Sequence, residues 1–405
     1  MREVYFEKKG KILYLDNNAT TAIAPEVIEA MQPYLWEHFG NPSSAYTISR
    51  CVRRAIEEAR GQIAGLLGAD ADEIVFTSCG TESDNAALNS ALEEYPERRH
   101  VITTAVEHPA VLNFARRLQG KGYRVTFLPV DPLGRLDPDQ LKAAIDADTA
   151  VVSVMHANNE TGVFFPIDEI GAFCRERGVL FHTDAVQSIG KVPVDLKKLP
   201  VDMLSLSGHK LHAPKGIGVL YLRKGVSFNP YVIGGHQEDG HRAGTENVAS
   251  IVGLGRACAL AGAHIAEEQT AVAALRDRLE HGLLQRCHDT RVNGDCEHRL
   301  PNTTNISFGY IEGEAILMKL DAAGICASSG SACSSGSDGP SHVLQAMAVP
   351  VEYIRGSVRF SLSRYTTADE IDQALAIIPR IIADLRLLSP WTPERGIACW
   401  GKSAD

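Results

Sequence analysis

The sequence predicts an α/β fold, with a large domain around a mostly parallel sheet and a smaller α+β C-terminal domain. Two observations carry this. From residue 74 to about residue 222, short apolar, β-branched runs alternate with segments of helical period, the pattern of a sheet covered by helices on both faces. From about residue 261 the alternation stops, and long helical segments with isolated strand runs follow. The boundary is expected near residue 262. Residues 16–262 would form the large domain, and 1–15 with 263–405 the small one.

The elements follow in order. EIVFT reads as a buried strand and residues 82–92 as a helix; HVITTA is a strand and HPAVLNFARRL a helix. YRVTFLPV is a strand, and DPDQLKAAI a helix with an Asp-Pro start. TAVVSVM, GVLFHTDA, VDMLSLS and GIGVLYL are further strands, and PIDEIGAFCRERG is a helix with a glycine stop. Beyond the boundary, AEEQTAVAALRDRLEHGLLQRC reads as an amphipathic helix, NTTNISFGY and SVRFSLS as strands, and TADEIDQALAIIPRIIADLRLL as a final helix.

Composition excludes several classes. The chain has 405 residues, 44% hydrophobic and 22% charged, which rules out wholesale disorder. Its formal charge of −10 disfavours a nucleic-acid binder. The longest run free of charged side chains, residues 322–337, is Ser/Gly-rich, so no membrane span is expected. The opening MREVYFEKKGKILYLD lacks an apolar secretory core. Nine scattered cysteines without C-x-x-C point to a reducing cytoplasm, no disulfide framework and no metal site.

Parallel sheets bind ligands at the carboxyl ends of their strands. Five strand ends finish in polar clusters, at residues 78–81, 107–108, 156–160, 184–187 and 207–210. Lys210, in SGHK, can form a Schiff base if desolvation lowers its pKa. Asp184, just past a strand, can pair with the ring nitrogen of pyridoxal 5′-phosphate (PLP), or simply cap a turn. Thr81, in TSCGTESDN, sits where a helix N-terminus can bind an anion, although T-E-S-D also fits a capping box. His108 can stack on a ring or shuttle a proton. Asn159 can donate to a ring oxygen. Cys333, in the loop ASSGSACSSGSDG, reads as an exposed nucleophile. Arg359 suits a substrate carboxylate, with Arg364 as a rival.

In this order the motifs resemble the cysteine desulfurases of the class V, fold type I PLP-dependent aminotransferase family. The resemblance includes YLDNNATT, GNPSS, EHPAV, NNETG, DAVQSIGK, SLSGHKLHAPKGIG, GGHQEDGHRAGTEN, SSGSACSSG and RFSLSRYTT. The long loop around Cys333 is similar to the NifS/IscS-type group, and DNNATT and HAPKG to its nitrogen-fixation branch. The resemblance implies removal of sulfur from L-cysteine, giving L-alanine and a persulfide on Cys333 that supplies iron–sulfur cluster assembly. It implies that Lys210 carries PLP and moves the substrate α-proton with His108, which also stacks on the ring. Asp184 would hold the ring nitrogen, and Asn159 and Gln187 the phenolic oxygen. Gly80, Thr81, Ser207 and His209 would hold the phosphate. Thr245 would reach the cofactor of the other subunit of a homodimer. Arg359 and Asn41 would bind substrate, and a sulfur acceptor or Fe–S scaffold protein would be the partner. Selenocysteine lyase is the alternative activity.

Overall fold

Seven strands form the central sheet, in the order Ile74–Thr77, Gly218–Leu222, Met203–Ser207, Leu180–Asp184, Thr149–Ser153, His100–Thr104 and Arg124–Leu128. All run parallel except Gly218–Leu222, which is antiparallel to both neighbours. Five of the seven are buried at every position, as strands covered on both faces must be. The structure, a computed structural model, describes residues 5–6, 10–329 and 339–391.

The helices begin where the local chemistry starts them. Asp137 caps Pro138–Ala144 by accepting from the Asp139 N–H. His108 caps Pro109–Gly120 by accepting from the Ala110 N–H at 3.2 Å. Thr367 and Glu370 close a capping box on Ala368–Leu388. The T-E-S-D segment behaves differently. Helix Gly80–Glu94 starts before Thr81, so Thr81 is not its N-cap and Asp84 is buried instead of capping. Glu82 accepts from the Ser78 N–H at 2.9 Å, closing that turn from inside the helix.

Beyond the sheet, Thr290–Val292, Thr303–Phe308 and Ser357–Ser361 form an antiparallel three-stranded sheet. Its core includes Ile306, Phe308, Phe360 and Ile378, together with Leu13 and Leu15 from the start of the chain. Leu13–Tyr14 reaches it by pairing in parallel with Ile325–Cys326. The helix read from residue 266 begins earlier. Val248–Glu267 runs through a π-turn at Glu268–Val272 into Ala273–Arg286. Its first part is apolar enough to pass for a membrane span, but half of that window is buried and it packs on Thr47–Leu67 and Pro25–Met31. An apolar, Ala/Gly-rich core helix has no amphipathic period to read.

Candidate functional site

Lys210 ends a single turn, Gly208–Lys210, that leaves the carboxyl end of Met203–Ser207. Its half-buried ammonium donates to the main-chain carbonyls of Asn18 (2.6 Å) and Ala19 (2.8 Å). The segment carrying those carbonyls is itself fixed. Thr21 donates to the His209 carbonyl, and the Asn18 amide donates to Thr303 Oγ1 at 2.8 Å. The asparagine-rich turn near the start of the chain thus clamps the lysine from above.

Asp184 is buried at the end of the adjacent parallel strand, where its Oδ1 accepts from the Val186 N–H at 2.9 Å. Ligand atoms of Asp184, His108 and Asp84 lie within 4.8 Å of one another. Burial pushes Asp184 up to about 6, opposed by the Val186 N–H and Lys210. Burial first, then Asp184, holds the Asp84 carboxyl well above the usual range. Burial, with Lys210 and His342 nearby, brings His108 down to about 4, so its ring is neutral at physiological pH. Two carboxyl groups this close in a dry site do not both ionise unless a cation joins them.

The anion end is built from backbone. A Cβ on Gly80 would lie 2.8 Å from Val186 Cγ2, so glycine lets the N-terminus of Gly80–Glu94 press against the Asp184 turn and Ser207. Ser207 is buried, Thr81 is exposed and lines a surface cleft with His108, and His209 Nδ1 lies 3.2 Å from Thr20 Oγ1. Fifteen residues of helix aim their N-terminal N–H groups here, which favours a phosphate.

Gln187 is buried and its Nε2 donates to the Asn18 carbonyl at 3.0 Å, the same oxygen that accepts from Lys210. The Asn159 carbonyl accepts from Arg359 Nη1 at 2.9 Å, and Arg359 Nη2 donates to Asp16 Oδ1 at 2.7 Å. The buried Arg359 Nε has no hydrogen-bond partner, which leaves its N–H open to a ligand. Arg364 does other work. It lies over the Tyr365 ring at 4.8 Å and faces Glu268. Asn41 and Thr245 are both exposed and line a separate cleft with Tyr34, Leu35, His38 and Phe39. Cys333 lies outside the described residues.

Two groups at the site escaped the sequence reading, and a third, Glu107, stood out there only as part of a polar strand end. Asn18 acts through its carbonyl oxygen, which no side-chain pattern reveals. Lys191 is buried against Gln187, and a lone lysine after a glycine gives no such signal. Glu107 is fully buried and pushed up to about 8, mainly by burial, while accepting from Thr104 and the Met155 N–H. Its adjacency to His108 in EHPAV was the available cue.

The family described as Aminotransferase class-V matches residues 13–374. A "Cysteine desulfurase 1" of Trichormus variabilis is 58% identical over 380 residues, covering 94% of this chain and 95% of that protein. A "Cysteine desulfurase NifS" of Azotobacter vinelandii is 56% identical over 385 residues, covering 95% and 96%. Among solved structures, a "NIFS-LIKE PROTEIN" superposes with a TM-score of 0.87 at 39% identity, covering 92% of this chain and all of that one.

Proposed function

The chain belongs to the class V aminotransferase family and is a cysteine desulfurase, and on that premise we propose that the Lys210 cleft holds PLP and strips sulfur from L-cysteine. The observation that carries this reading is the convergence of Lys210, Asp184 and His108 beyond the carboxyl ends of three parallel strands of the central sheet. The residues fit the cofactor. A half-buried amine stands over the site, a buried carboxylate awaits a cation, and a helix N-terminus faces the anion end. A protonated ring nitrogen is the cation that Asp184 needs, and pairing with it pulls the Asp184 proton affinity down again.

When bound, PLP supplies a cationic ring that takes up the electron pair released at the substrate α-carbon. Lys210 would tether the cofactor, and Lys210 with His108 would move the substrate α-proton. Asp184 would keep the ring nitrogen protonated. His108, neutral through burial, would stack on the ring. Gln187 and Asn159 would contact the phenolic oxygen, while Gly80, Thr81, Ser207 and His209 would hold the phosphate. Arg359, with its unused Nε–H, orients the substrate carboxylate. Cys333 attacks as a thiolate. The carbon–sulfur bond of the substrate breaks as the sulfur–sulfur bond forms, leaving L-alanine and a Cys333 persulfide.

The same reading divides the chain at residue 262, with 1–15 and 263–405 as the smaller domain carrying Cys333. It makes the protein a cytoplasmic homodimer in which Thr245 of one copy reaches the cofactor of the other, and Asn41 binds substrate. What supports the dimer is the exposed apolar side of the cleft that Thr245 and Asn41 line, including Leu35 and Phe39. The sulfur would pass to an Fe–S scaffold or other acceptor protein, with nitrogen-fixation clusters as the destination that the NifS relative suggests. Incubating the PLP-loaded protein with L-cysteine and dithiothreitol should release alanine and sulfide in equal amounts. Both should vanish in Lys210→Ala and in Cys333→Ala. Pyruvate with ammonia in place of alanine would sink the reading.

A further inference from the structure

Lys191 is a buried lysine with no part in the chemistry above. Gly190 takes a left-handed turn (φ 77°), and a Cβ there would lie 2.3 Å from Leu211 Cδ2. That turn folds Lys191 back over the residue four positions earlier. Its Nζ donates to the Gln187 carbonyl at 2.7 Å and to Gln187 Oε1 at 3.3 Å. Gln187 Nε2 donates to the Asn18 carbonyl at 3.0 Å. The amide is therefore held at both ends. Turning it over would set oxygen against the Asn18 oxygen and nitrogen against the lysine nitrogen, losing both hydrogen bonds. In the held orientation Nε2 keeps one further N–H.

We propose that Lys191 is a positioning residue that locks the Gln187 amide with its nitrogen toward the cofactor's phenolic oxygen. This rests on the reading that Gln187 contacts that oxygen. A lysine donates to Oε1 whether charged or neutral, so the lock does not depend on its titration. The charged and titratable groups around it are Glu268 from the π-turn, His209, Lys210 and His212 from the segment after Met203–Ser207, and Arg359 and Arg364 from the Ser357–Ser361 strand and the turn after it. Glu268 is buried and supplies the opposite charge. Lys191, Glu268, Lys210 and Arg364 line a cavity of about 10 Å³, the size of one water. Glu268, on the π-turn between Val248–Glu267 and Ala273–Arg286, thus lies on one side of the lysine, whose donors go to Gln187.

The test uses the visible absorbance of the PLP-loaded enzyme, followed with pH in the absence of substrate. A donor on the phenolic oxygen lowers the proton affinity of the neighbouring lysine-linked nitrogen, so losing it raises the midpoint of the transition. The paired variant Lys191→Met/Glu268→Gln removes both buried charges together and strands neither. It should raise the midpoint by about one pH unit, a tenfold change in proton affinity. Gln187→Leu should do the same, and combining all three changes should add nothing further. Lys191→Arg, which keeps a donor, should leave the midpoint at the wild-type value. A shift in Gln187→Leu with none in the paired variant would overturn the inference and leave the Gln187 contact standing. No shift in either would overturn both. Additive shifts would mean that Lys191 acts on the cofactor directly, which also overturns the inference.

Discussion

The Lys210 cleft and the Asn41–Thr245 cleft solve opposite problems. Around Lys210 the chain meets its own polar groups. The lysine sits on two carbonyls, Gln187 shares one of them, and the surrounding strands are buried. Around Thr245 the chain leaves large apolar groups in water, with Leu35 66% and Phe39 76% exposed. The hydrogen bonds of Lys210 and Gln187 close within a single chain, whereas the Thr245 cleft keeps exposed the kind of apolar surface that another molecule can cover. The contrast separates a site whose polar contacts are made within one chain from a surface whose apolar groups the same chain leaves in water.

The largest effect tests the Lys210 cleft. Lys210→Ala should abolish both alanine formation and the visible absorbance of bound PLP, with the protein still folded by circular dichroism. Asp184→Asn comes next. Without its charge the ring nitrogen loses its proton, and alanine formation should fall about 10²–10³-fold, the loss typical of one preorganised electrostatic contact. Survival of normal rates in Asp184→Asn would break the assignment of the buried strand end to the cofactor.

The Thr245 cleft is tested by charge. If the proposed dimer forms through this cleft, Leu35→Glu with Phe39→Glu should shift the sedimentation of the protein to that of a monomer. It should also weaken PLP retention on dialysis, because Thr245 would then not reach a second site. A monomeric variant that keeps its cofactor fully would confine the role of this cleft to assembly. A smaller effect separates the two arginines. Arg359→Lys should raise KM for L-cysteine about tenfold, the loss of one charge-assisted hydrogen bond of roughly 1.5 kcal/mol. Arg364→Lys should leave KM unchanged, since Arg364 faces Tyr365 and Glu268.

The pH dependence of stability follows from the buried groups. His108, His156 and His209 are brought down to about 4, each mainly by burial. The unfolded chain protonates these rings below about 6.5, while the folded chain resists until about 4. Their contribution to stability is present above 6.5 and is lost as pH falls toward 4. Asp184, pushed up to about 6, and Glu107, to about 8, act in the opposite sense over part of that range. Burial also brings His182 and His212 down to about 3 and raises Asp84, Glu160, Asp202 and Glu268, so one histidine is read by comparison: stability lost between pH 6.5 and pH 4.5 should be smaller in His156→Phe than in the unsubstituted protein. An equal pH dependence of the two melting temperatures would contradict this.

Much of the Lys210 region was legible because its chemistry sits at strand ends, where apolar runs stop abruptly at SGHK, HTDAVQ and TSCGTESD. What the sequence did not announce came from backbone and tertiary contacts. The Asn18 carbonyl is invisible to side-chain patterns. Lys191 looks like a surface lysine until Gly190 turns it inward. The capping-box reading of Thr81 and Asp84 failed because tertiary burial, not local capping, claims Asp84. The pairing of Gly218–Leu222 against its neighbours was likewise unreadable, since a fully buried antiparallel strand has the same apolar run as a parallel one.

The central claim is that Lys210 carries the cofactor. Reducing the PLP-loaded enzyme with borohydride would fix the cofactor covalently to its lysine, and peptide mapping by mass spectrometry would locate it. The account predicts label on Lys210 alone. Label on the buried Lys191, or on Lys215 in HAPKG, would contradict it.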